Sequence, residues 1–176
     1  MKKERIEITL TDVEPKDAKP LLDFYKIVGE ETPYLSFGSE GLGLNQEQET
    51  RYIKQLQTTD NNRLIIARLG NEIIGVASIG ASQNPKLSHV GEIGICILRR
   101  FWSFGLSRVL MEDLLDWAED NETLRLIRLE VHSDNIRAIK LYEKYDFKEV
   151  GRLSGAMKID GEYGDTIIME KMVDSE

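Results

Sequence analysis

The sequence predicts a mixed α/β domain, and three of its features support that prediction. Two apolar runs, Arg63–Leu69 and Glu72–Ile79, flank a Gly-Asn dipeptide that is typical of a tight β-hairpin. A third apolar run, His89–Leu98, contains Gly91 and Gly94, which suggest a bulge or a close backbone approach. This run then passes through a short basic turn into a segment whose apolar residues recur at helical spacing. Strands and helices therefore alternate in the middle of the chain.

The N-terminal elements are predicted from side-chain alternation and from helix start signals. Charged and apolar residues alternate over Arg5–Leu10, which is typical of a half-buried strand. Pro15 suits the first turn of a helix, and Asn45 begins a capping box for a second helix that extends to about Thr58. The intervening segment Glu30–Leu44 contains one proline and three glycines and predicts a long loop. Loops of this length in compact domains are often functional.

The C-terminal half is predicted as two further helices, a strand between them and a final hairpin. The first helix spans about Gly105 to Asn121, and Arg125–Val131 is a strand, so this β-α-β unit should be parallel and right-handed. A Ser-Asp-Asn cap at 133–135 begins a helix that reaches about Tyr145. The hairpin consists of Lys148–Ile159 and Tyr163–Met172 around Asp160-Gly161.

Composition limits the classes of function. A net charge of −8 and a pI of about 5.0 argue against general binding of nucleic acid or anionic membrane, because phosphate neutralisation needs a basic surface. The one cysteine, Cys96, excludes an intrachain disulfide, and two histidines exclude a histidine-rich metal cluster, so we expect no metal. No apolar run approaches a membrane span, and the first residues lack a signal core. We therefore expect one cytoplasmic domain over residues 1–176.

The turn between the third strand and its helix is the first candidate site. Its sequence, RRFWSFGLS, places Gly105 and Ser107 at the start of the helix and Arg99, Arg100 and Arg108 around them. A helix N-terminus presents unpaired N–H groups and a partial positive charge, and so it binds phosphate. The same sequence also suits a plain β-α connection with solvated arginines. The glycine motifs of dinucleotide and nucleoside-triphosphate sites are both missing from the sequence.

The second candidate site lies in LEVHSDNIRAIKLYEKYDFKEVG, residues 129–151. Asn135 begins a helix at the end of a strand, and Tyr142 follows seven residues later, on the same helix face. Taken alone, Asn135 is more simply interpreted as a helix cap and Tyr142 as a core aromatic residue. The interpretation changes when both motifs are considered together.

Together the two motifs resemble the GNAT superfamily of N-acetyltransferases, over roughly residues 60–173. Its turn pattern, [Q/R]-x-x-G-x-[G/A], is matched strictly by Gly105, whereas Trp102 and Ser107 replace the outer residues. Asp146 replaces the glycine usual in the second motif, N-x-x-A-x-x-L-Y-x-x-x-x-F. The residues that match this second motif are Asn135, Ala138, Leu141, Tyr142 and Phe147. The resemblance implies a mostly antiparallel mixed sheet with a central parallel β-α-β unit and helices on both faces.

The resemblance also implies acetyl-CoA as the cosubstrate, with its pyrophosphate held by backbone N–H groups of the turn. Because side chains are not the main donors, this binding should survive the replacements at Trp102 and Ser107. The implied acetyl-CoA-binding residues are Ile95, Cys96, Ile97, Arg99, Arg100, Phe104, Gly105, Leu106, Ser107, Arg108, Asn135, Ala138 and Tyr142.

Acetyl transfer to an amine makes three chemical demands. Alkylammonium groups have pKa values near ~10, so a base must remove a proton from the amine. A backbone N–H, expected at about Ile95 to Ile97, should face the carbonyl oxygen as it becomes negative. The resemblance implies direct attack in a ternary complex, with Tyr142 as the acid for the departing thiolate. Glu92, within an otherwise apolar strand, is the candidate base, and a salt bridge or a water-facing position is the alternative.

Two other reactive side chains have simpler interpretations. Cys96 suggests a covalent acetyl-cysteine intermediate, but no base lies near it in sequence, and a lone strand cysteine is usually a small buried hydrophobe. His132, at a strand end, either joins a proton relay or, more simply, is a hydrogen-bonded structural residue.

Tyr34 and Phe37 of the long loop are, with Glu92, the candidate acceptor-binding residues, although aromatic side chains there can equally close the core. The prediction is an N-acetyltransferase for a primary amine of a small molecule or a peptide or protein N-terminus, with a homodimer as one assembly. The alternative is an acyl-CoA-binding sensor of the same fold without turnover.

Overall fold

Residues 7–173 are described by a computed structural model in which strands and helices alternate along the chain. Short 3-10 turns, Pro15–Asp17 and Arg99–Phe101, precede the first and third α-helices. The α-helices are α1 (Ala18–Glu31), α2 (Gln46–Leu56), α3 (Leu106–Glu119) and α4 (Ile136–Lys144). The strands are β1 (Ile8–Asp12), β2 (Arg63–Leu69), β3 (Glu72–Ala81), β4 (Val90–Ile97), β5 (Leu126–His132), β6 (Lys148–Ile159) and β7 (Glu162–Met172).

The strands form one sheet in the order β1-β2-β3-β4-β5-β7-β6. All neighbouring pairs are antiparallel except β4 and β5, which are parallel and joined through α3. This confirms the predicted mixed sheet with a central β-α-β unit. The interior strands β2 and β3 are almost entirely buried, which explains their near-continuous apolar sequences.

The two parallel strands stay paired over only a short distance. β4 pairs with β3 from Gly91 to Ile97, but its ladder with β5 is limited to Val90–Glu92 opposite Leu126–Arg128. Beyond these three residue pairs the strands diverge, so their far ends leave an opening in the middle of the sheet.

Helices cover both faces of the sheet, as predicted. A Cβ atom on Gly75, the cross-strand partner of Ile97, would lie 3.2 Å from Leu106 Cδ2, so α3 covers that face. Cys96 points to the opposite face because successive residues of a strand alternate. There the thiol lies near Tyr25 of α1, whose pKa is raised chiefly by burial and to a smaller extent by Cys96.

Most element boundaries agree with the sequence to within a few residues. The Asn45 and Gln48 capping box is present, with hydrogen bonds of 2.8 and 2.9 Å between side chain and backbone. β1 begins at Ile8, and the first residues of the predicted Arg5–Leu10 strand lie outside the described residues. Asp146 adopts a positive φ of 65°, a conformation that favours glycine.

The prediction of a bulge in the third strand was wrong, because the register of β4 against β3 is continuous. The alternative, close approach, is correct at Gly91, where a Cβ atom would lie 2.7 Å from Ile79 Cγ2.

In the part of the chain that the structure describes, no helix combines the length and apolar character needed to cross a membrane.

Candidate functional site

A cavity of about 460 Å³ lies where β4 and β5 diverge. Its walls come from the end of β4, the end of β5, the first turns of α4, the turn before α3 and the segment that follows α1. The two sequence motifs, far apart along the chain, therefore meet at one cavity. Eight of the predicted site residues line it: Tyr34, Ile95, Cys96, Ile97, Ser107, Asn135, Ala138 and Tyr142.

The N-terminus of α3 is open toward solvent at its first turn. Gly105 is the N-cap residue with φ 75°, and no side chain caps the helix. The first backbone donors bonded within the helix are those of Arg108 and Val109, which both reach the Gly105 carbonyl. The amides of Leu106 and Ser107 precede these bonds and are free to bind an anion. A Cβ atom on Gly105 would meet nothing within 4 Å, so a ligand can approach the backbone there.

The three arginines predicted at this turn all have intramolecular partners, and two of them form salt bridges. The Glu31 carboxylate accepts a 2.7 Å hydrogen bond from the Arg99 amide, and the Glu31 carbonyl accepts one from the Arg99 guanidinium. The two other pairs are Arg100 with Glu72, and Arg108 with Glu112 at 3.8 Å.

Arg137 is a cation at this site that the sequence analysis did not select. Its guanidinium lies 5.1 Å from the centre of the Trp102 ring, donates to the Trp102 carbonyl oxygen and lines the cavity. No carboxylate among residues 7–173 forms a salt bridge with it. Arg99 stacks at 5.5 Å on the same ring. The sequence signal that could have identified Arg137 was its position within the second motif, between Asn135 and Ala138.

Trp102 is held firmly enough to support these guanidinium groups. Its indole Nε1–H donates a 2.7 Å hydrogen bond to the Ile97 carbonyl at the end of β4. The replacement of a polar family residue by Trp102 therefore removes one side-chain donor but provides a surface on which Arg137 stacks. Leu106 and Phe104 were also predicted to bind acetyl-CoA. The Leu106 side chain is buried in the core, and the Phe104 side chain is exposed and packs on Phe101. Only their main-chain atoms are placed to meet a ligand at α3.

Tyr142 is buried at the cavity wall and packs edge-on against Phe147, with ring centres 5.7 Å apart. Burial, together with the nearby Cys96 thiol, raises the pKa of Tyr142 to about 12, so the phenol keeps its proton throughout the neutral range. Asn135 begins α4 by accepting a 3.3 Å hydrogen bond from the Ala138 amide. The phenol is thus held as a neutral donor by a capped helix.

Cys96 has the properties of a buried apolar residue. Burial raises the pKa of its thiol to about 12, which disfavours the thiolate that a nucleophile requires. His132 is also buried and accepts a 3.1 Å hydrogen bond at Nδ1 from the Asp134 amide. This bond leaves Nε2 as the other ring nitrogen, which faces Gly164 of β7, where a Cβ atom would lie only 2.1 Å from it. The His132 ring lies 5.3 Å from that of Tyr34.

Glu92 is exposed and does not line the cavity, which agrees with the water-facing alternative for this residue. It projects from the same face of β4 as Gly94 and Cys96. A Cβ atom on Gly94 would meet only Ser78 Oγ, at 3.8 Å, which leaves the face above Gly94 open. Gly94 itself lines the cavity. The cavity therefore reaches Gly94, two residues along the same strand face from Glu92.

The two predicted loop aromatics have different positions. Tyr34 lines the cavity, and its hydroxyl lies 3.5 Å from the Asp134 carbonyl oxygen. Phe37 does not line it and instead packs edge-on against Tyr25 of α1, with ring centres 5.6 Å apart. The prediction of an aromatic lining thus holds for Tyr34, and Phe37 extends an aromatic layer behind it.

Comparisons with known proteins give consistent results. The sequence profile described as Acetyltransferase (GNAT) family matches residues 21–147. The L-amino acid N-acetyltransferase AaaT of Escherichia coli is 31% identical over 108 residues, which cover 61% of this chain and 67% of that protein.

Solved structures resemble the whole described fold. An acetyltransferase of the GNAT family from Streptococcus pneumoniae is 31% identical with a TM-score of 0.92, covering 95% of this chain and 100% of that one. YncA of Salmonella typhimurium, whose structure includes acetyl-CoA, has a TM-score of 0.81 at 16% identity, with 96% and 95% covered. The second likeness supports the fold alone.

Proposed function

The chain belongs to the GNAT family of acetyltransferases, and from this premise we propose that it transfers the acetyl group of acetyl-CoA to the primary amine of a small molecule. The observation that carries the proposal is the convergence of the open α3 N-terminus and Tyr142 on one cavity. The relative named as an L-amino acid N-acetyltransferase supports an acceptor of small size.

The residues at the β4–α3 turn fit a diphosphate group. The amides of Leu106 and Ser107, the positive end of the α3 dipole and the guanidinium of Arg137 all favour an anion. The space in front of Gly105 lets the phosphates approach the backbone. These residues would bind and orient acetyl-CoA, so that its acyl end extends between β4 and β5.

Tyr142 is the proposed donor to the departing thiolate. A phenol with a pKa of about 12 holds its proton more tightly than a thiol with a pKa near ~8.5, so it stabilises the developing sulfur charge chiefly by donating a hydrogen bond. The free sides of the β4 amides beyond Glu92 face the opening between the strands, where a carbonyl oxygen would become negative.

Glu92 is the proposed acceptor of the amine proton, and its exposed position requires a water molecule in between. The open face above Gly94 provides the space for that water. The carboxylate would accept the proton after the water has taken it from the amine, which leaves the nitrogen lone pair free to attack.

The test is release of free thiol from acetyl-CoA across a panel of primary amines, with products identified by mass spectrometry. The panel contains amino acids, monoamines, diamines and a short peptide. The proposal predicts acetylated small-molecule products. Stabilisation of the protein by acetyl-CoA without thiol release would indicate a sensor instead, and acetylation of the peptide alone would indicate an N-terminal acetyltransferase.

A further inference from the structure

The segment Glu31–Tyr34, which leaves the end of α1, spans the opening between β4 and β5. At one end the Glu31 carboxylate accepts a 2.7 Å hydrogen bond from the Arg99 amide, and the Glu31 carbonyl accepts one from the Arg99 guanidinium. At the other end the Tyr34 hydroxyl lies 3.5 Å from the carbonyl oxygen of Asp134. Arg99 and Asp134 each lie two residues beyond the end of their strand, where β4 and β5 have already diverged. The segment, here called the strap, therefore joins the strand ends that the sheet leaves apart.

Contacts within its own loop and with α1 hold the strap in place. The Thr32 hydroxyl accepts a 3.3 Å hydrogen bond from the Tyr34 amide. Farther along the loop, Gly38 packs against α1 so closely that a Cβ atom on Gly29 would lie 2.1 Å from the Gly38 carbonyl oxygen. Thr32 and Tyr34 both line the cavity. The strap is therefore a wall of the cavity whose backbone cannot withdraw without breaking these contacts.

The Tyr34 ring is supported by His132. The two ring centres lie 5.3 Å apart, and the imidazole is buried. Its Nδ1 atom accepts a 3.1 Å hydrogen bond from the Asp134 amide, and its Nε2 atom lies so close to Gly164 that a Cβ atom there would be 2.1 Å away. His132 therefore has no room to move toward β7. Since packed interiors respond to changes of a single methylene, a ring held on this support sets a definite limit to what fits beside it.

Tyr34 bounds the side of the cavity on which the proposed proton acceptor lies. Glu92 pairs with Arg128 in the β4–β5 ladder, so the two side chains project from the same face of the sheet. His132 follows Arg128 by four residues along β5 and therefore projects from that face too. α3 covers the opposite face, at Gly75. The contact between Tyr34 and His132 thus lies on the side from which an amine approaches Glu92, away from the helix that would hold the phosphates.

We propose that Tyr34 determines acceptor specificity, because its ring limits the size of the group that the acceptor carries beside its amine. This inference rests on the proposed function. With the amine held between the acyl carbonyl and the Glu92 side of β4, the rest of the acceptor extends under the strap and ends against the Tyr34 ring. A small substituent fits there, and a bulky apolar one collides with a ring that His132 and the strap hold in place. The preferred acceptors are therefore primary amines with a small substituent.

The experiment uses two pairs of acceptors, alanine with phenylalanine and ethylamine with phenylethylamine, because the members of each pair differ by one phenyl ring. Wild-type kcat/KM should be higher for the smaller member of each pair that the protein acetylates. Tyr34→Ala should raise the ratio of the larger to the smaller on the order of 10-fold, the scale on which a pocket separates substrates by apolar size. A gain of activity toward the larger amine cannot arise from a loss of stability. The thermal shift by acetyl-CoA should be that of the wild type.

Phe37→Ala is the matched control on the same loop, since Phe37 packs on Tyr25 and does not line the cavity. It should keep the wild-type ratio. Tyr34→Phe should keep it as well, because this variant retains the ring and loses only the hydroxyl. Tyr34→Leu, which keeps more of the apolar packing, should shift the ratio in the same direction as Tyr34→Ala and replaces that variant if it does not fold.

An unchanged ratio in folded Tyr34→Ala or Tyr34→Leu would overturn the inference. A wild-type preference for the larger member of either pair would overturn it too, whatever the variants do. Acetylation of other amines but of neither smaller member would also contradict it. Absence of thiol release with every amine would instead refute the proposed function.

Discussion

The two ends of the cavity differ in the groups that they offer to the proposed ligands. At the α3 end the binding groups are main-chain amides, a helix dipole and the space in front of Gly105. At the α1 end the proposed binding groups are side chains such as Tyr34, which lines the cavity in the segment that follows α1. Backbone groups remain when side chains change, which explains how the turn can carry Trp102 and Ser107 and keep its shape. A side-chain site has no such tolerance.

The largest effect is expected from Gly105→Val. The substitution places a branched side chain at φ 75° and fills the space in front of the α3 amides. Acetyl-CoA should then give no thermal shift at millimolar concentration, whereas it raises the wild-type melting temperature by binding the native state. Differential scanning fluorimetry measures both.

Gly43→Val is the control for backbone strain. Gly43 also has a positive φ, 69°, and open space around it, but it lies before α2, away from the turn. This variant should lose stability and keep the acetyl-CoA shift. Normal binding by folded Gly105→Val would show that the turn is only a connector, and the contrast between the two ends would fail.

Tyr142→Phe tests a side chain on the boundary between the two ends. The ring keeps its packing against Phe147, but the donor to the departing thiolate is lost. We expect kcat to fall on the order of 10²-fold while the affinity for acetyl-CoA barely changes. Steady-state kinetics with an amine that the wild-type protein acetylates measure kcat. Differential scanning fluorimetry measures the affinity for acetyl-CoA. Full activity would reassign Tyr142 to core packing.

Glu92→Gln tests whether proton removal also depends on one side chain. Loss of a water-linked base should slow turnover on the order of 10-fold and displace the basic limb of the pH–rate profile toward the pKa of the free amine. The displacement is the informative result, because a merely structural residue would change the rate without moving the limb. An unchanged profile would place the base elsewhere.

Arg137→Ala tests how much side chains add at the backbone-dominated end. An unpaired guanidinium stacked on Trp102 should contribute about tenfold to acetyl-CoA affinity, and the loss should shrink at high salt. Arg100→Ala is the matched control, since Arg100 is paired with Glu72. A loss as complete as that expected for Gly105→Val would mean that side chains dominate at this end as well.

The prediction with no expected effect at neutral pH concerns Cys96, which lies near Tyr25 and Tyr142. Its pKa is raised by burial from 9.0 to about 12 in the folded protein, so the unfolded chain releases the thiol proton first. The contribution to stability is complete below about pH 9 and decreases as pH rises toward 12. Cys96→Ala should remove this slope, about 1.4 kcal/mol per pH unit, from urea unfolding measured above pH 9. If the stability of Cys96→Ala decreases just as steeply with pH, the pH dependence belongs to the buried tyrosines instead.

The fold and the α3 end were predictable because their signals are local. A glycine before an apolar helix, and Asn135 seven residues before Tyr142, determine geometry within one or two helical turns. The predicted order of strands and helices was confirmed for the same reason. The position of Glu92 was not predictable from its neighbours in sequence, because exposure on a strand depends on which helix covers that face.

The positions of several other residues were harder to predict because they depend on tertiary contacts. Phe37 and Tyr25 meet only after the loop folds back on α1. Glu49 has the sequence of an ordinary first-turn acid, and only its burial distinguishes it from Glu47 nearby. Arg137 acquires significance through Trp102, which belongs to a different element.

The brief pairing of β4 with β5 also divides the sheet mechanically. Three residue pairs join two parts of the sheet, β1–β4 and β5–β7, and α3 packs mainly against strands of the first part. We expect the two parts to open as separate cooperative units in native-state hydrogen exchange. A molecule bound between β4 and β5 would replace backbone hydrogen bonds that the two strands do not make with each other. Its binding should therefore slow amide exchange in both parts of the sheet, far beyond the atoms that it touches.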